Sequence, residues 1–307
     1  MHSFETPLKK WKYALKLDSW PKLLIPAILG QALGYYASGS FHGSGFLLGI
    51  GFTVCDVIFI VLLNDWADQR VDRIKRMLFP LQCSPKTIPD HILPAHKLYW
   101  MGLWGGFFAL AITLIGFTIQ RPWLPAIAAL ALCLFQSYSF RPLKLNYRGG
   151  GEFMEGFGLG FCLPWLNAYA QSGLLWHPIY AIFFGCCALS FASALASGLA
   201  DEESDLTGGK RTFTTIFGNR KVRRLTEYMV FSSPLIWFLC DTKGTPDLLK
   251  IVFVPSIPIC FYGMKMRRIS DLAKTRAFAS QRIYKKHLHQ AIWIGMGTLA
   301  FVLFIIR

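Results

Sequence analysis

The chain has 307 residues, 53% of them hydrophobic and only 16% charged, where a soluble domain carries roughly 25% charged residues. With a mean hydropathy of +0.40, this composition argues against an ordinary soluble fold and for a polytopic membrane protein. The formal net charge of +15 would suit a nucleic-acid partner, but the placement of the charges described below points to a lipid bilayer instead.

The opening stretch, MHSFETPLKKWKYALKLDSW, has no apolar core ahead of a small-residue cleavage site, so it reads as a cytoplasmic arm (1–19) and not a secretory signal. A membrane-crossing helix needs about 20 mainly apolar residues. Nine stretches fit, at roughly 20–38, 44–64, 97–119, 122–140, 153–173, 177–200, 226–241, 247–264 and 289–306. The eighth contains Pro255 and Pro258, whose freed backbone groups neighbouring helices can satisfy. In the first, Gly30 and Gly34 form a small-xxx-small pair that marks a close helix contact. The expected fold is all-α, a single domain over 1–307. The eight cysteines form no Cys-x-x-Cys pair and mostly lie in these apolar runs, so they read as packed thiols and not as a zinc site.

Twenty-eight of the 32 lysines and arginines fall in the N-terminal arm to Lys22 and in the segments 64–97, 140–152, 201–225 and 265–288. Nine spans put all of these on one side of the membrane. The other side receives Arg121, Lys243, Lys250 and Arg307. Excess Lys and Arg mark the cytoplasmic face, which predicts the N-terminus and the loops after the even-numbered spans inside, and the C-terminus outside.

Two of those cytoplasmic loops open on acidic clusters. Residues 64–72 read NDWADQRVD and residues 201–205 read DEESD. On a helix Asp65, Asp68 and Asp72 share an arc of about 60°, and Asp201 and Asp205 lie about 40° apart. Each cluster follows the second helix of a four-span half, as in an internal repeat that builds a central site. Ser190, Ser193 and Ser197 run down one face of the sixth span towards Asp201; this is either a small-residue helix contact or a polar wall leading to the acid. Five carboxylates facing one cavity repel unless cations sit between them. Hard oxygen ligands at this density suit Mg²⁺, which takes one or two carboxylates together with phosphate oxygens. Asn64 supplies a neutral oxygen, while Lys86, Lys210 and Arg211 supply positive charge nearby. Asp56 lies nine residues before Asp65, on the opposite helical face, and is left out of the site. The GGK at 208–210 is not a phosphate-binding P-loop, because Ser204 stands where the first glycine is required.

These residues resemble the UbiA superfamily of intramembrane prenyltransferases. NDWADQRVD matches its NDxxDxxxD motif, and DEESD followed by LTGGKRT matches its second, DxxxD motif. KTIPDHIL (86–93) is a looser match to the stretch after the first motif. YSFRPLKLNYRGGGE (138–152) is similar to the segment after the fourth helix, above all in the menaquinone-pathway branch. The chain departs from the family in lacking a clear Arg-Pro pair after the first motif, and from that branch in having Val71 where a glycine is usual. The resemblance implies nine helices around a central cavity opening into the lipid, and Mg²⁺-dependent transfer of an isoprenoid from a polyprenyl diphosphate to an aromatic acceptor. It implies metal-binding and catalytic roles for Asp65, Asp68, Asp72, Asp201 and Asp205, and substrate contacts for Asn64, Lys86, Tyr138, Lys144 and Lys210. The expected acceptor is 1,4-dihydroxy-2-naphthoate-like, with 4-hydroxybenzoate-like and porphyrin acceptors next. Tyr138 and Tyr147 flank the expected acceptor segment, and either Glu152 or Asp72 takes the acceptor's proton. An ion-coupled transporter is the competing reading, but its acids would sit near mid-bilayer on broken helices.

Overall fold

The computed structural model describes residues 6–240 and 248–307. Residues 1–5 of the arm, the junction of the seventh and eighth spans at 241–247, and Lys243 lie outside them. The described residues form helices and no strand. The arm folds as α1 (Pro7–Leu15), whose first turn is capped by the Thr6 hydroxyl accepting from the Lys9 amide. It is followed by α2 (Pro21–Ser38), α3 (Gly43–Ala67), the short α4 (Gln69–Leu78), α5 (Ala95–Thr113) and α6 (Leu124–Ser139). The second half runs through α7 (Gly151–Phe157), a π-turn at Gly158–Cys162, α8 (Leu163–Ser172), α9 (Phe183–Gly198), the short α10 (Glu202–Thr207) and α11 (Phe213–Phe217), and then α12 (Asn219–Leu239), α13 (Leu248–Ile269) and α14 (Phe278–Ile306).

Each expected span falls on one of these helical segments. Among the described residues, four helices are long and apolar enough by themselves to cross a membrane: Gly43–Ala67, Ala95–Ile119, Pro178–Gly198 and Phe278–Ile306. That is fewer than the nine expected, for local reasons. The apolar α6 has 16 residues, α7 and α8 are interrupted by the π-turn, α12 opens on NRKVRR and α13 closes on KMRRI.

The two halves lock through the contact that the glycines anticipate. α2 lies along α8 so closely that a Cβ on Gly30 would stand 2.2 Å from the Pro164 carbonyl oxygen, and one on Gly34 2.5 Å from that of Ala168. Close approach of backbones is what small residues permit between membrane helices. Within this contact a buried polar ladder ties three helices. The Gln31 amide donates to Asn167 Oδ1 (2.9 Å), and Asn167 Nδ2 donates to Thr53 Oγ1 (3.2 Å). Thr53 itself donates to the Gly49 carbonyl (2.8 Å). One apolar cluster then joins α2, α8, α9 and α12–α14, and a second joins α2, α3, α6 and α8. On α5, Trp100, Trp104, Phe107 and Phe108 are exposed, as suits a face turned to lipid.

Candidate active site

Both acidic clusters sit where an apolar helix gives way to a short polar one. α3 ends at Ala67, and Asp68 (φ −93°, ψ 6°) turns the chain into α4. The three acids of the first cluster therefore do not share one uninterrupted helix as expected. They still face one way, because the Asp68 amide bonds the Asn64 carbonyl and the Asp72 amide bonds that of Asp68, both at 2.9 Å. In the second half α9 stops at Gly198, and Asp201 is the N-cap residue that precedes α10. Asp205 follows one turn later. α4 packs against α10, which brings the two clusters together across a cavity of about 330 Å³.

Of the ten expected site residues, nine line this cavity: Asn64, the five aspartates, Lys86, Tyr138 and Lys210. Lys144 does not. Its ammonium lies 3.8 Å from the centre of the Tyr147 ring, and the Tyr147 hydroxyl donates to Asp68 Oδ1 at 3.0 Å. Lys144 thus stands one side chain behind the cavity wall. Ser197 is the one member of the serine stripe on the cavity wall; Ser190 and Ser193 are buried off it. Glu152 is also off it, its Oε1 accepting from the Phe213 amide at 2.7 Å. Glu155, three residues on, lines the cavity and pairs with Lys22.

The aspartates are matched by lysines. Asp65 pairs with Lys16 and accepts from the Thr87 hydroxyl at 2.8 Å. Asp72 pairs with Lys86. The other two pairs cross between the halves. Lys75, from the helix after the first cluster, reaches Asp201; Lys210, from the loop after the second, reaches Asp68 at 2.9 Å. Lys16, Lys75 and Thr87 were not anticipated. Lys75 was within reach of the same periodicity, since it continues the Asp65, Asp68, Asp72 stripe by three residues. Lys16 carries no local signal: it stands at the end of α1 in the left-handed conformation (φ 47°), a turn that delivers it to an acid 49 positions away.

The environments of the acids differ. Burial pushes the Asp68 carboxyl up, but Lys210 and the Tyr147 hydroxyl outweigh it and hold the group below the usual carboxylate range. At Asp72 burial outweighs the Lys86 charge and the carboxyl stands above that range. Asp205 has no ion pair or side-chain hydrogen bond among the described residues; burial pushes its carboxyl up to about 6 against the pull of Lys210.

Lys86 and Thr87 are presented by the loop between α4 and α5, and Asp90 organises that loop. Its Oδ2 accepts from the Tyr13 hydroxyl (2.5 Å), Arg76 Nη2 (2.6 Å) and the Lys86 amide (3.0 Å). Burial raises the Asp90 carboxyl, but these three donors hold it below its ordinary value. On the expectation of a diphosphate substrate, Asp90→Ala should free the loop and raise that substrate's KM about tenfold with kcat less affected; Asp90 is not on the cavity wall, which makes it a positioning residue.

The deeper half of the cavity is apolar, with Ile60, Leu134, Phe135, Leu159 and Leu163 on its wall. Asp56 is there too, which corrects its exclusion above. The helical angle between Asp56 and Asp65 was right, but the cavity wraps about half of α3, from Asp56 through Ile60 and Asn64 to Asp65.

Among the described residues, no three acids, histidines or cysteines converge as a ready-made metal cage, because lysines stand among the carboxylates. The donor set nevertheless fits a hard cation. It consists of carboxylates, and among the described residues buried Asp205 makes no ion pair or side-chain hydrogen bond.

Comparison with known proteins adds the following. The family model described as "UbiA prenyltransferase family" matches residues 23–285. A UbiA homolog from Archaeoglobus fulgidus bound to DMAPP and Mg²⁺ superposes with a TM-score of 0.71 at 14% identity, over 97% of this chain and 100% of that one. The same organism's homolog bound to GPP and Mg²⁺ gives 0.69 at 15% identity, over 95% and 99%. An apo UbiA homolog from Aeropyrum pernix K1 gives 0.68 at 14%, over 93% and 98%. No match was found among curated proteins.

Proposed function

From the chain's membership of the UbiA prenyltransferase family, we propose that it moves an isoprenoid chain from a polyprenyl diphosphate to an aromatic acceptor, with Mg²⁺, at the cytoplasmic face of a membrane. The observation that carries this reading is the meeting of two acidic clusters, each threaded with lysines, over one apolar cavity. The acceptor favoured by the 138–152 segment is 1,4-dihydroxynaphthoate-like, with a 4-hydroxybenzoate-like compound next. The DMAPP- and GPP-bound relatives with Mg²⁺ support the donor and the cation by analogy.

Asp65, Asp68 and Asp72 on one side and Asp201 and Asp205 on the other would hold the cations. When bound, Mg²⁺ neutralises charge that builds on the departing diphosphate. The chain's own part is to supply Lys16, Lys75, Lys86 and Lys210, each able to exchange its aspartate for a phosphate oxygen, so that the leaving group meets fixed positive charge in a site of low dielectric. The Phe135 and Tyr138 rings on the cavity wall exclude water from the allylic carbon and offer their faces to its positive charge. Of the two acids expected to take the acceptor's proton, Asp72 lines the cavity and Glu152 does not, which favours Asp72.

The test is purified protein in detergent with Mg²⁺, a polyprenyl diphosphate and a panel of aromatic acceptors, following diphosphate release and product mass together. A prenylated acceptor that vanishes with EDTA and returns with Mg²⁺ supports the reading; intact diphosphate with every acceptor, in folded protein, overturns it. The pH dependence adds a signature. The folded pKa of Asp205, about 6, lies above the ordinary 3.8, so the folded metal-free protein holds a proton that the unfolded chain releases. Asp205's contribution to stability is therefore full below about pH 4 and declines as pH rises to about 6. Protons and cations compete for the same carboxylate, so Mg²⁺ affinity is expected to climb with pH up to about 6 and then level. Calorimetric titration across pH 5–8 checks this, and Asp205→Asn should remove the step.

A further inference from the structure

Asp56 has no part in the mechanism above, yet it is 4% exposed, sits in the middle of α3 and lines the apolar half of the cavity. It makes no ion pair or hydrogen bond among the described residues, and its Oδ1 is buried without a partner. The neighbouring polar groups are already used. Thr53, one turn earlier, is spent between the Gly49 carbonyl and Asn167. The cavity's lysines are committed too: Lys16, Lys75, Lys86 and Lys210 to the aspartates, and Lys22 to Glu155. A buried carboxyl oxygen without a donor is costly, and a polar group kept deep in a membrane helix marks a functional site.

The chemistry of the substrates selects what Asp56 is for. Nine residues of helix place it about 13 Å deeper than Asp65 along α3, beyond the lysines and carboxylates that serve the diphosphate. An isoprenoid tail is hydrocarbon and offers a carboxyl nothing. A diphosphate offers only acceptor oxygens and negative charge. The aromatic acceptor is the one substrate that can carry a hydrogen-bond donor to this depth. Resting on the prenyl-transfer reading, we propose that Asp56 is a specificity-determining residue that accepts a hydrogen bond from a ring hydroxyl of the acceptor, on the side turned away from the diphosphate. The site then selects hydroxylated aromatic acceptors and rejects their ethers, because a methylated oxygen leaves the buried carboxyl unpaired.

The experiment compares wild type, Asp56→Leu and Asp56→Asn with a hydroxylated acceptor and its O-methyl ether. It measures KM for the acceptor and for the polyprenyl diphosphate separately. Leucine has the branching of aspartate without its polarity, so this variant should fold and show a Tm no lower than wild type. Asp56→Leu is expected to raise the acceptor KM about tenfold or more, leave the diphosphate KM unchanged and abolish discrimination against the ether. Asp56→Asn, which keeps an accepting oxygen, should recover part of both; it also serves if the leucine variant does not fold. Unchanged acceptor KM and discrimination in an active Asp56→Leu enzyme overturns the assignment and leaves the prenyl-transfer reading standing. Equal loss for both substrates with a lowered Tm means a structural role, which overturns it equally. Absence of transfer by the wild type with any acceptor removes the reaction itself, and the assignment with it.

Discussion

Asp201→Asn is expected to lower prenyl transfer on the order of 10²–10³-fold while the protein stays folded. Asp201 is the acid best suited to separate chemistry from stability. Its side chain is 32% exposed and among the described residues it pairs only with Lys75, so the amide that replaces it remains partly solvated. Lys75, 7% exposed, is left without its partner, so some stability is lost in the free protein; binding of a diphosphate would supply another partner. The same change at Asp65 is a poorer test. That group is 5% exposed and holds both Lys16 and Thr87, so a loss of activity there would be mixed with a loss of structure. The check is kcat at saturating Mg²⁺ beside a thermal melt. Activity within a few-fold of wild type would remove Asp201 from the metal-binding set.

Lys210→Met is expected to damage both stability and turnover, and a second change should separate the two. The Lys210–Asp68 pair joins the halves in a nearly dry site, with side-chain exposures of 10% and 12%. Removing one partner of a buried pair leaves the other charge uncompensated and typically costs about 3–5 kcal/mol. Among the described residues, only the Tyr147 hydroxyl would still donate to the Asp68 carboxylate. Replacing both residues, Asp68→Asn with Lys210→Met, removes the unpaired charge and should recover most of the lost stability. It should recover none of the activity, because the proposed reaction needs a metal ligand and a phosphate contact at these positions. A double variant no more stable than Lys210→Met would show that the pair is not what holds the halves together.

Much of this site was legible in the sequence, because helical periodicity and charge placement leave direct traces. The aspartates of NDWADQRVD and DEESD, and Lys210 beyond them, all reach the cavity. What sequence did not convey is how the chain behaves where helices stop. Asp68 and Asp201 are breaks, not interior positions, and the breaks allow α4 and α10 to fold over the cavity. Lys16 arrives through a left-handed turn in a segment that reads only as a basic arm. Asp56 was misplaced because a helical wheel gives an angle and not the width of the cavity around it.

The reciprocal exchange of lysines between the halves has a thermodynamic consequence. Without ligands the site is neutralised from within, each carboxylate of the crossing pairs spent on a lysine from the opposite half. A divalent cation arriving alone must evict lysines that then have no counter-charge. A diphosphate arriving alone must draw lysines away from aspartates and leave those bare. Together the two ligands satisfy every group that each displaces. Cation and diphosphate are therefore expected to be positive effectors of one another, each tightening the other's binding by the same factor by linkage. Among the aspartates of the two clusters, a free metal ion finds only the unpaired Asp205 open to it, so such a site is expected to favour the metal–diphosphate complex over either component alone.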